Sequence, residues 1–68
     1  MSSLGEELPK EIARVRDEVL PAYLSCGPGG LLAASLMRQD LDRASKAMIE
    51  GDVATMIKVY QALKEYQL

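Results

Sequence analysis

Histidine is absent from this chain of 68 residues, and cysteine occurs once, at Cys26. Without an imidazole there is no histidine base and no histidine-ligated metal, and one thiol cannot complete a four-ligand zinc site. A single cysteine also excludes an internal disulfide, which suits a reducing compartment. A basic surplus is lacking too: eight Lys and Arg against ten Asp and Glu leave a formal net charge of −2. Phosphate neutralisation needs cations gathered on one face, so direct nucleic-acid binding is not expected. No apolar run approaches the roughly 18 residues of a membrane span. Glu6-Glu7 stand where a secretory signal would be basic, so no leader is expected.

The residues present punctuate a helical chain. Gly27-Pro28-Gly29-Gly30 is a strong breaker, since glycine permits positive φ and Pro28 lacks a donor. Gly51-Asp52 is a subtler one, with Gly51 suited to a left-handed helix end and Asp52 to the next N-cap. Pro9 suits a first helical position. The expectation is a single all-α domain over 1–68, with helices at about 9–25, 30–50 and 53–66 and residues 1–8 as a flexible tail. The last two helices must form an antiparallel hairpin, because the turn at Gly51-Asp52 is too short for another arrangement. Pro21 removes one helical bond and crowds the preceding turn, while the apolar arc runs on through Tyr23 and Cys26. That pattern predicts a kinked N-terminal helix.

Wound at 100° per residue, the first segment gathers Ile12, Val15, Val19 and Tyr23 on one side. The second gathers Ala33, Ala34, Leu36, Met37, Leu41, Ala44, Ala47 and Met48, and the third Val53, Met56, Ile57, Val59, Tyr60, Leu63 and Tyr66. The third arc is wider than one neighbour requires. A chain of this size buries only about 60% of its surface, so pairing of two copies is expected to cover what one leaves open. The assembly expectation is therefore a homodimer.

Candidate chemistry is sparse. Gly27-Pro28-Gly29-Gly30 precedes a helix, but Leu31-Leu32 follow where a phosphate loop has Lys-Ser or Lys-Thr, so it reads as a loop. Cys26 lies on the apolar arc with no cation near it in sequence and reads as a packed thiol. Met37, Met48 and Met56 read as core filling. Asp40 and Asp42 fall on different helical faces and do not make a dyad. No catalytic, cofactor-binding or metal site is expected. A helix-turn-helix reading could use Thr55, Lys58, Gln61 and Lys64, but Glu65 intrudes and the preceding helix is too long.

Two charges sit on the wrong side of their helices. Winding places Arg16 among Ile12, Val19, Leu20 and Tyr23, and Asp40 among Leu36, Met37 and Ala44. A lone charge facing a core is costly, so each needs a partner or an opening to solvent. One reading pairs Arg16 with Asp40, within a subunit or across a dimer. The other leaves Arg16 at the edge of an exposed patch with Leu20 and Tyr23, as anchors for a partner protein.

The run from Ile12 through Glu18 to Leu20-Pro21-Ala22-Tyr23, and the hairpin from Ala47 through Gly51-Asp52-Val53 to Tyr66, carry a resemblance. Together they resemble the small early-region proteins of Mu-like transposable phages that infect Pseudomonas and related bacteria. That group includes a quorum-sensing anti-activator, a helical dimer that binds a LuxR-type transcriptional regulator and the type IV pilus assembly ATPase. The resemblance implies a non-catalytic inhibitor that binds host regulatory proteins in the bacterial cytoplasm. A phage structural or assembly component, and a small helical DNA-binding regulator, are the competing classes.

Overall fold

The computed structural model describes residues 3–68, and among them no strand occurs. The chain is all-α. An N-terminal helical segment comprises α1 (Leu4–Arg14), a π segment (Val15–Val19) and α2 (Leu20–Leu24). The hairpin follows, with α3 (Pro28–Glu50) running into α4 (Val53–Glu65).

The helix begins at Leu4, five residues before Pro9, which corrects the expected tail over residues 4–8; Met1 and Ser2 lie outside the described residues. Leu8 explains the difference. Its side chain is fully buried in the core with Val59 and Leu63, and burying a leucine contributes roughly 1.5–3 kcal/mol. The Ser3 carbonyl accepts from the Glu6 and Glu7 amides at 3.0 and 2.8 Å, and both carboxylates suit the positive end of the helix. Pro9 therefore lies inside α1. Gly5 and Pro9 both face solvent, so the carbonyl that Pro9 cannot bond is open to water.

Ahead of Pro21 the chain widens into the π segment, and Leu20 stays helical at φ −57°, ψ −49°. A π turn bonds each amide five residues back and absorbs one extra residue, so the faces that follow are displaced from a constant 100° winding. Val15 and Val19 are both buried, and Arg16, Asp17 and Glu18 all lie exposed between them.

Gly27 takes φ +83° as the residue before α3, and Pro28 occupies the first turn, where its missing donor is harmless. Gly30 is a point of close backbone approach. A Cβ there would stand 1.9 Å from the Tyr23 carbonyl oxygen, so the backbones of α2 and α3 meet at this glycine. At the far end of α3, Gly51 adopts φ +69°, and the Asp52 amide donates to the Ala47 carbonyl at 2.9 Å. Asp52 then caps α4, accepting from the Thr55 amide at 3.2 Å and its hydroxyl at 2.6 Å. The core runs between these two turns, with Val15 and Val19 against Ala34, Met37 and Ala44 of α3 and Val59 and Leu63 of α4.

Candidate functional site

The residues expected to mark an interface do not form one surface patch. Leu20 belongs to the core cluster, and Tyr23 is half-buried, its hydroxyl donating to the Gln67 carbonyl at 3.0 Å. Arg16 is exposed and donates to both carboxylate oxygens of its neighbour Asp17, at 2.8 and 2.9 Å. The Asp17 contact raises the Arg16 pKa, and the same contact lowers that of Asp17.

Arg16 does not pair with Asp40 within the chain, and it does not face the core. Arg16 lies one residue, about 100° of winding, beyond the buried Val15, so it stands at the edge of the apolar arc, where its long side chain reaches solvent and Asp17. Asp40 does sit at the edge of the core, with only 15% of its side chain exposed. Its partners are the Tyr66 hydroxyl, donating at 2.7 Å, and the Arg43 guanidinium, donating at 3.1 Å. Burial, then the hydrogen bond to Asp40, push the Tyr66 phenol up to about 12. This tie fastens the end of α4 to the middle of α3. Counting outward from Gly51 puts Asp40 level with the last turn of α4, the signal that could have found it.

A second tie was missed because Arg14 winds onto the polar side. Arg14 donates to both carboxylate oxygens of Glu11, at 2.9 and 3.3 Å, and to the Leu63 carbonyl at 3.0 Å. The Leu63 carbonyl lies in the last turn of α4, where it also accepts from the Tyr66 amide at 3.2 Å and where a cation is favoured. Arg14 thus joins α1 to the C-terminal end of α4. Nearby, the Lys64 ammonium lies 5.3 Å from the centre of the Tyr60 ring.

Cys26 is exposed rather than packed. The helix ends at Leu24, so Cys26 leaves the arc on which winding had placed it, and its thiol donates to the Ala22 carbonyl at 3.2 Å. The methionines divide: Met37 is buried, Met56 packs against the core, and Met48 is exposed. A shallow open cleft between α3 and α4 is lined by Arg43, Lys46, Glu50, Asp52 and Thr55, so charges of both signs face it.

What solvent meets instead is apolar side chains at the two ends of the bundle. Leu24, Leu31, Leu32 and Leu36 are exposed around the α2–α3 turn, and the Tyr23–Gln67 bond brings Leu68 to that same end. Met48, Ile49, Val53 and Ile57 are exposed around the α3–α4 turn. No helix among the described residues is long and apolar enough to cross a membrane.

Fold and surface define a small three-helix protein whose accessible features are two apolar ends. No protein-family model, curated protein or solved structure matches the chain.

Proposed function

We propose that this chain acts by binding other proteins, as a phage-encoded inhibitor of host regulators in the bacterial cytoplasm. A LuxR-type quorum-sensing regulator and the type IV pilus assembly ATPase are the targets that the resemblance brings forward. The reading includes a homodimer and a bend of the N-terminal segment at Pro21. One observation carries it. At the α3–α4 turn, Ile49 is 86% exposed and Val53 and Ile57 are also open to solvent, with Lys46, Glu50, Asp52 and Lys58 around them. An apolar centre with a charged rim is the anatomy of a protein-binding surface.

Expression in Pseudomonas is expected to lower quorum-sensing reporter output and twitching motility together. The double variant Ile49→Glu, Ile57→Glu is expected to abolish both effects while expressing and folding like the parent. Unchanged reporter output and motility at confirmed expression of the parent would overturn the reading. A pull-down that returned virion proteins would favour the assembly role instead.

A further inference from the structure

The two apolar ends differ in charge, and that difference assigns them different partners. From Leu20 to Met37 the sequence has no Asp, Glu, Lys or Arg, and the first charge on α3 is Arg38. This run holds the end of α2, the glycine turn and the first half of α3. Eleven of its eighteen residues are exposed. Leu32, at 72%, and Leu36 stand one turn apart on the same side of α3, with Leu31 and Leu24 beside the turn.

We propose that this charge-free end is the surface through which two copies of the chain pair about a two-fold axis. The inference rests on the homodimer reading above and adds where the copies meet. In a two-fold interface, residues near the axis meet their own counterparts. The run itself brings no like-charge opposition and no ion to desolvate to such a pairing. The α3–α4 turn would bring Glu50 and Asp52 up to their own copies, so that end is fitted to a partner of different charge.

A standard interface takes about 800 Å² from each partner, about a fifth of the 4468 Å² accessible surface of this chain. The eleven exposed residues of the run would form the centre of such an area. Its exposed leucines supply the apolar centre, and serines and glycines around the turn add no charge to remove from water.

The test is sedimentation velocity on three full-length proteins, each checked for helicity by circular dichroism. The wild type is expected at twice the 7.4 kDa chain mass, Leu32→Glu with Leu36→Glu at the single-chain mass, and Ile49→Glu with Ile57→Glu still at twice the mass. Should the glutamates unfold the chain, Leu32→Ser with Leu36→Ser takes their place, since both sites are exposed. A dimeric wild type whose Leu32 and Leu36 variant stays dimeric would overturn the inference and leave the homodimer reading standing. A monomeric wild type would overturn both. A monomer that cosediments with neutral phosphatidylcholine vesicles, and loses this with Leu32→Glu, would assign the surface to lipid and overturn the proposal.

Discussion

The α2–α3 end and the α3–α4 end turn the chain by different means and present different chemistry. At the α2–α3 end the turn works by closeness: Gly30 lets one backbone touch another, and the exposed residues are leucines without charges. At the α3–α4 end the turn works by capping: Gly51 ends one helix, Asp52 starts the next, and charges surround Ile49, Val53 and Ile57. The first turn depends on the absence of a side chain, the second on the presence of one. The first also leaves an uncharged surface that suits its own copy, and the second a rimmed surface that suits a different protein.

The largest expected effects fall on the residues that hold the two ends against one core. Leu8→Ala is expected to cost about 2–4 kcal/mol in denaturant unfolding, because a fully buried leucine leaves a cavity. A variant as stable as the parent would return residues 4–8 to the status of a tail. Gly30→Ala is expected to cost about 2–3 kcal/mol, since the added methyl meets the Tyr23 carbonyl, which has no rotamer to give. That corresponds to a melting temperature lower by roughly 10–20 °C. Asp52→Ala should lower it only by a few degrees, because the cap lies at the surface. If the order of these two reverses, the contrast between a turn made by closeness and one made by capping is wrong.

Smaller effects separate the two arginines. Arg14→Ala is expected to cost about 1 kcal/mol through the lost bonds to Glu11 and the Leu63 carbonyl, discounted for partial exposure. Arg16→Ala is expected to melt like the parent, because its bonded partner among the described residues is the equally exposed Asp17. Destabilisation by Arg16→Ala to the extent of Arg14→Ala would restore the buried pairing that uniform winding suggested.

The pH response reads the remaining tie, between Asp40 and Tyr66. Burial and Asp40 hold the Tyr66 phenol in its neutral form up to about 12, against an ordinary value of 10.0. A group whose pKa is raised on folding contributes its full stabilisation below the unfolded value and loses it as pH rises through the folded one. Stability is therefore expected to fall between about pH 10 and 12 in the parent, and less so in Tyr66→Phe. A Tyr66 phenolate whose absorbance midpoint lay near pH 10 would remove the Asp40–Tyr66 tie from the account.

Helical periodicity made the all-α class legible, because apolar residues recur at three and four along each segment and nowhere alternate as in a strand. It failed at particular residues. Arg16 falls at the edge of the apolar arc, and a helical wheel does not show that a long side chain there turns out to solvent and to Asp17. Cys26 was assigned to the core because winding was carried past the actual end of α2 at Leu24. Pro9 was read as a start because the burial of Leu8 depends on α4, which sequence-local rules do not see. The Arg14 and Tyr66 ties join residues 49 and 26 positions apart, beyond the reach of any helical wheel.

Because Cys26 is the single cysteine and lies in the charge-free run, one spin label can be placed there without engineering. The most direct measurement compares that label with one at the other end, in Cys26→Ser with Glu50→Cys, by pulsed dipolar spectroscopy. The chain is 36 Å long, so two copies joined at their α2–α3 ends hold their α3–α4 ends apart. The account predicts a short, well-defined distance between the two Cys26 labels and a longer one between the two labels at position 50. Dipolar coupling that is stronger at position 50, or absent at both positions, would contradict it.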